Sequence, residues 1–265
     1  MYLEYWGLKD PPFANVPDQN LFFQSNQHEE ALVRLLYAVE HRKGVAMLTG
    51  EVGSGKTTIS RVLVNRLPKD RFEVRTIVNP ALDSLDLNRA ILLELGERVD
   101  EESKTILLAR LKNRLIHNAE QNLNTVLIID EAHTIRDQSS FEELRMLLNL
   151  QSEHQFLITL IIMGQPPLKQ KIFDLKPLRE RIAIKYDLTP LDVKDTMRYI
   201  LFRLKNAGAV RGIFTKEAVY GVYDYSGGIP LRINNVCERS MLIGMMMKAT
   251  VIGKKIVHDA IEDLK

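Results

Sequence analysis

Hydrophobic and polar positions along this chain follow two regimes. Up to about residue 190, short apolar runs alternate with stretches of helical periodicity. Val45–Thr49, Phe72–Val78, Thr125–Asp130, Phe156–Met163 and Ile182–Tyr186 have strand length. The run TVLIID at 125–130 is nearly continuous in apolar character, as a strand covered on both faces requires. Between the runs, apolar residues recur three and four apart. One helix starts after Asn26, with Ala31, Leu32, Leu35, Leu36 and Val39 on one face and Glu29 placed for a capping box, and ends near Lys43-Gly44. Another follows Lys56 with Ile59, Val62, Leu63 and Leu67 and stops at Pro68. Ser84–Glu97, Ser103–Asn122 and Ser140–Leu150 read as further helices, the last capped by Ser139 with Glu142, and Pro166-Pro167 open a short one. From Thr189-Pro190 onward the pattern is helical only: Asp192–Asn206, Lys216–Tyr225, Leu231–Met247 and Lys255–Leu264, punctuated by glycines. Strands alternating with helices predict an α/β domain over residues 1–190, a five-stranded parallel sheet between helices. A small all-helical domain is expected over residues 191–265.

Composition narrows the class. The 265 residues are 45% hydrophobic and carry a net charge of +2, which neither demands nor excludes nucleic acid. The single cysteine, Cys237, permits no internal disulfide and points to a reducing, cytoplasmic setting; a small buried apolar role suits it best. No secretory leader and no stretch long enough to span a bilayer is visible.

The chemistry sits where the first strand meets its helix. Gly50–Thr57 reads GEVGSGKT and satisfies G-x-x-x-x-G-K-[ST] at every required position. A chance match in a chain of this length is on the order of one in a hundred from average glycine usage, and the strand–loop–helix context lowers it further. In such a loop the backbone of Gly50, Glu51, Val52, Gly53, Ser54 and Gly55 turns its N–H groups toward one centre, and the helix dipole points there too. Lys56 adds a charge for the β- and γ-phosphates, Thr57 a hydroxyl for Mg²⁺, and Thr58 a donor to the α-phosphate. ATP is the expected ligand. The strand 125–130 ends in Asp130-Glu131. Asp130 is expected to hold the Mg²⁺ water shell and Glu131 to activate water for attack on the γ-phosphate. His133, completing D-E-A-H, reads as a bystander. Gln165, just past the fourth run, is a candidate γ-phosphate sensor.

Residues 1–25 carry Tyr2, Tyr5, Trp6, Phe13, Phe22 and Phe23, and Pro11, Pro12 and Pro17 argue against a helix there. A non-regular arm packed over the nucleotide-binding core is expected; covering the adenine or touching a neighbouring subunit is the alternative. The stretch 103–122 carries Lys104, Arg110, Lys112, Arg114 and His117. A solvated outer face is the first reading, a phosphate-binding face the second.

Taken together, these segments resemble the AAA+ ATPases and, more narrowly, the general secretion pathway protein A group. The residues that carry the likeness are YWGLKDPPF, LTGEVGSGKTT, LIIDEAH, GQPPLKQKI, LRERIAIKYDLTPL and SGGIP followed by IN. The resemblance implies an ATP-hydrolysing protein associated with type II secretion, pilus assembly or an exosortase locus. It implies a ring or spiral of subunits, often six, and peripheral membrane attachment through a partner. Arg181 stands where the family places an arginine finger, supplied to the neighbour's γ-phosphate, with Arg179 the second choice. The family's G-I-P-R becomes Pro230-Leu231-Arg232 here. Arg232 is thereby turned about 100° from the second-sensor position. The secretion members of the group continue into a membrane span and a peptidoglycan-binding domain, so this chain is expected to be a stand-alone relative or a truncated form. The rival reading is a DNA-dependent ATP switch similar to transposition helpers, with duplex DNA as partner. A helicase is disfavoured, because roughly 75 residues after residue 190 cannot form a second sheet domain.

Overall fold

The computed structural model describes residues 1–15, 21–99, 103–151 and 155–265. In chain order the elements are α1 (Tyr2–Trp6), α2 (Asn26–Glu40), β1 (Val45–Gly50), α3 (Lys56–Arg66), β2 (Phe72–Ile77), α4 (Ser84–Glu94), α5 (Lys104–Glu120) and β3 (Asn124–Ile129). There follow a single 3-10 turn (Ala132–Thr134), α6 (Gln138–Leu147), β4 (Ile158–Gly164), α7 (Pro167–Asp174), α8 (Lys176–Arg179) and β5 (Ile182–Leu188). The chain closes with α9 (Val193–Asn206), α10 (Lys216–Ser226), α11 (Pro230–Met246) and α12 (Lys254–Asp263). The strands form one five-stranded sheet in the order β2-β3-β4-β1-β5, parallel at every pairing. The α/β class with a helical C-terminal region stands as the apolar pattern indicates. The chain divides into two compact units, one of Met1–His28, Glu51–Thr58 and Thr189–Lys265 and one of Glu29–Gly50 and Ile59–Leu188.

The second unit holds the sheet. β1 and β4 are buried at every position, because helices cover both faces of central parallel strands and leave no solvent side for polar alternation. The edge strand β5 does alternate, with Ile182 and Leu188 buried and Ala183, Lys185 and Asp187 not. Leu87 and Ile91 of α4, Leu107, Leu111 and Leu115 of α5 and Leu144 of α6 pack in one core with Leu127, Ile129, Leu160 and Ile162 of the sheet. From β1 the chain goes to the far edge, works back through β3 and β4, and then passes β1 to β5. The order therefore reverses beside β1, and the carboxyl ends of β1 and β4 flank the crevice where open α/β sheets take ligands.

Two cations of the basic helix α5 pair with buried carboxylates. Glu73 is buried, and Arg114 Nη2 lies 3.1 Å from its Oε1, with Arg75 and Asn118 also donating to it. Lys104 pairs with the buried Glu143, which Asn88 Nδ2 also contacts at 3.0 Å. A buried carboxylate is costly unless paired, so these cations are tied to the sheet unit rather than offered to a ligand. α6 begins two residues earlier than the pattern indicates, at Gln138: Asp137, not Ser139, is its cap, accepting from the Ser139 N–H at 3.0 Å. Likewise α2 includes Asn26, and Ser25 Oγ accepts from the His28 N–H.

The first unit gathers the C-terminal helices, and with them the N-terminal segment. Residues 1–25 were expected to be non-regular, yet Tyr2–Trp6 is a helix. Pro11 and Pro12 come after it and cannot interrupt it; Pro17 lies outside the described residues. Nor does the segment's aromatic content join the sheet's core. Trp6 and Phe13 are buried with Leu204, Ile233, Val236, Met241 and Ile252, and Trp6 Nε1 donates to Met241 O at 2.9 Å. Arg203, only 4% exposed, donates through Nε to Pro12 O at 2.5 Å and through Nη2 to Ala14 O at 2.8 Å. Without it the buried Pro12 carbonyl would lose that donor, at about 1–3 kcal/mol. Cys237 is buried and free, and burial pushes its thiol well above the ordinary range, in keeping with an apolar role.

Candidate nucleotide site

β1 leads without interruption into the loop 51–55 and α3. The glycines of the loop are conformational necessities. Gly53 has φ +76° and Gly55 φ +103°, in the left-handed region that side chains disfavour. The space around both is also closed. A Cβ at Gly53 would lie 2.3 Å from Leu231 Cβ, and one at Gly55 2.8 Å from His28 Nε2. Ser54 N–H donates to Glu51 O at 3.1 Å, and Lys56 Nζ donates to the same carbonyl at 2.9 Å. Lys56 is only 4% exposed, so its ammonium is held across the loop. Val52 is exposed, Gly50 and Ser54 are buried, and Thr57 and Thr58 are half-buried at the start of α3. The buried Ser54 hydroxyl has no hydrogen-bond partner among the described residues.

In the sheet unit, β3 and β4 end level with β1. Thr49 is in register with Gly164, and Ile129 with Ile162. Asp130 is buried, and its Oδ1 accepts from the Glu131 N–H at 2.8 Å. Glu131 has φ 53° and ψ 31°, a left-handed backbone that a non-glycine residue keeps only where its surroundings hold it. Thr134 does so, donating to Glu131 O through both N–H and hydroxyl at 2.8 Å. The Glu131 side chain is 38% exposed. Gln165 Nε2 lies 3.4 Å from Glu131 Oε2, and Gln165 N–H 3.4 Å from His133 Nδ1. That same ring nitrogen is 3.5 Å from Glu131 Oε2. Lys171 of α7 fixes the turn by donating to His133 O and Ile135 O at 2.6 Å each. Glu131, His133 and Gln165 thus form one polar group at the carboxyl edge, and His133 is part of it rather than a bystander. Among the described residues no three His, Cys, Asp or Glu side chains group as a metal site.

Arg181 and Arg179 sit elsewhere. β5 begins at Ile182, which is in register with Val45 at the start of β1, so Arg181 lies at the amino edge of the sheet. Arg181 Nη2 donates to Asn149 Oδ1 at 3.1 Å. Arg179 donates to Phe173 O at 3.0 Å and lies 4.8 Å from that ring's centroid. The nearby carboxylates of Glu180 and Asp187 pair with Lys176 and Lys169. In the first unit Leu231, not Arg232, meets the phosphate loop. Its N–H donates to Gly53 O at 3.3 Å, while Arg232 is exposed. The sequence pattern does not single out His28, whose Nε2 is 2.9 Å from Ser54 O; nothing in local spacing ties residue 28 to a loop 26 positions on.

Known proteins bear on this geometry. Residues 39–172 match the family described as AAA domain, just over half of the 265 residues. General secretion pathway protein A of Aeromonas hydrophila is 37% identical over 261 residues, covering 97% of this chain and 47% of that protein. The chain spans about half the length or less of the curated relatives it matches. The structure of the Aeropyrum pernix ORC2 protein in its ADPNP–ADP complexes superposes with a TM-score of 0.70 at 17% identity, covering 96% of this chain and 72% of that one. Drosophila ORC bound to DNA gives 0.70 at 19% identity, covering all of this chain and 66% of that one. These neighbours share the fold, while the family match and the secretion-protein likeness run through the loop and the strand ends described above; the chain belongs to the AAA domain family.

Proposed function

We propose that this chain is a Mg²⁺-dependent ATPase that works as an oligomeric assembly or remodelling factor for a secretion or pilus system. The observation that carries the reading is the loop that follows β1. Its glycines take left-handed backbone, and its lysine is buried. β3 and β4 end in Asp130, Glu131 and Gln165. In this reading the loop amides, Lys56 and Thr58 hold the polyphosphate. Thr57 and Asp130 hold Mg²⁺, a hard cation that takes few protein oxygens and several from phosphate and water; their hydroxyl and carboxylate suit it. When bound, the ion neutralises charge on the transferred phosphoryl group. Glu131 takes a proton from the attacking water, and Gln165 senses the γ-phosphate.

Arg181 supports the oligomer. A strand rises about 3.3 Å per residue, so the six-residue span of β1 puts Arg181 roughly 17 Å from the carboxyl end of that strand along the sheet. A role at the γ-phosphate therefore belongs to a neighbour's site, with Arg179 packed on Phe173 in a supporting place. Leu231 on Gly53 gives the C-terminal helices a hold on the loop that does not use Arg232. The likeness to General secretion pathway protein A supports a secretion partner and a place at the inner membrane through it. Among the described residues no helix is long and apolar enough to cross a membrane.

A second reading, an ATP-dependent DNA-binding switch, draws on the DNA-bound ORC neighbours. It is weakened by the engagement of Lys104 and Arg114 with Glu143 and Glu73. ATP turnover per subunit, measured over a wide protein concentration with and without duplex DNA, separates the two. The first reading predicts specific activity that rises with concentration and ignores DNA. Activity that depends on DNA moves the second ahead, and no turnover under any condition contradicts both.

A further inference from the structure

We infer that His28 is a positioning residue of the phosphate loop, holding the Ser54–Gly55 peptide in the orientation that presents the Gly55 N–H to an anion. The inference rests on the nucleotide-site reading above and deepens it.

His28 is 6% exposed and is the middle link of a short polar chain. Its Nδ1 is 2.6 Å from Ser25 Oγ, and its Nε2 is 2.9 Å from Ser54 O. A carbonyl oxygen only accepts, so Nε2 carries the hydrogen and donates. In the neutral ring Nδ1 then accepts from the Ser25 hydroxyl. Burial favours that neutral form and pulls the imidazolium down, against the Ser54 carbonyl and Asp195, which raise it. Phe22 meets the ring edge-on at 6.1 Å, and Ser25 is itself buried. The imidazole is locked by its contacts on either side.

The consequence follows from peptide geometry. The C=O and N–H of a trans peptide point in opposite directions. Fixing the Ser54 carbonyl on His28 turns the Gly55 N–H to the other side. A flip of this one peptide would remove a donor from the loop and aim a carbonyl dipole at the phosphates. Glycine at 55 makes such a flip sterically easy, because its φ of +103° is one of many it can adopt. Glycine is nonetheless required, because Nε2 stands 2.8 Å from where its Cβ would be. The loop thus contains a residue that can turn either way, and His28 selects one way.

The test compares His28→Leu, which fills the space without donating, with His28→Gln, whose amide can donate to Ser54 O. Affinity is measured for ATP and for inorganic tripolyphosphate, which senses only the loop, alongside urea unfolding without ligand. His28→Leu is expected to bind both ligands at least ~5-fold more weakly, by the same factor, from the lost hydrogen bond and the freed carbonyl. His28→Gln is expected to recover most of the loss. A purely structural histidine would lower the unfolding midpoint without this matched loss and recovery. Parent-like affinity in His28→Leu, or no recovery in His28→Gln, overturns the inference while leaving the nucleotide site standing. A parent protein that binds neither ligand overturns the site reading itself. Should His28→Leu fail to fold, Ser25→Ala, which removes the hydroxyl on Nδ1 and with it the acceptor of the His28 N–H, decides: a loss of at least ~2-fold for both ligands supports the inference and unchanged affinity overturns it.

Discussion

Glu131→Gln is expected to bind ATP as the parent does and to hydrolyse it at least ~100-fold more slowly, the lower range for loss of a general base. That factor corresponds to about 2.7 kcal/mol of transition-state stabilisation. Glutamine keeps the size and polarity of the side chain, so the contacts near Gln165 and His133 have a partner of the same shape. What it loses is the capacity to take a proton from water. The backbone around residue 131 depends on Asp130 and Thr134, not on the carboxylate, so the turn survives. Single-turnover hydrolysis together with equilibrium binding of ATP gives both numbers. Parent-like turnover would move the proton acceptor away from Glu131.

Lys56→Met is expected to abolish useful nucleotide binding, weakening ATP at least ~100-fold, while leaving the fold intact. Charge-assisted bonds to phosphate are the strong ones, about 1.5–3 kcal/mol each, and an ammonium has three donors to give. Lys56 is nearly buried, so methionine follows the same path for its stem, and Glu51 O, which loses the ammonium, keeps the Ser54 N–H as a donor. The readout is thermal or urea unfolding with and without ATP. Ligand at a hundred times its Kd stabilises the parent by about 2.7 kcal/mol; the variant is expected to show the parent's ligand-free stability and no gain. A full ATP-dependent gain in Lys56→Met would mean that the loop amides alone hold the nucleotide.

Much of this site is visible in one dimension because its parts are local. GEVGSGKT encodes a turn that only its glycines can make, and an apolar run followed by Asp130-Glu131 is what a buried strand ending at a crevice looks like. The central strands could be read because helices cover both faces and demand nearly uninterrupted apolar runs, and the edge strands β2 and β5 because apolar and polar residues alternate along them. What escaped is held by distance or by competition. The pattern gave no sign that Trp6 and Phe13 would be buried with α11 rather than on the sheet, because aromatic residues carry burial but no address. α8 is four residues long, too short for any period. Asp137 displaced Ser139 as the cap because a carboxylate reaches two donors there. His28 reaches the loop only once α2 is in place, and the Glu131–His133–Gln165 group exists only because β3 and β4 are neighbours in the sheet.

The claim most worth testing is that one site is completed by two chains. Arg181→Ala and Glu131→Gln are each expected to be nearly inactive, the first lacking the arginine for its neighbour and the second lacking the base. Mixed in equal amounts, each Arg181→Ala subunit keeps Glu131 and can receive Arg181 from a Glu131→Gln neighbour. The measurement is ATP turnover of the mixture against that of each variant alone. The account predicts that activity returns on mixing, to a substantial fraction of the parent's. A mixture no more active than its components, under conditions where the subunits assemble, would contradict it.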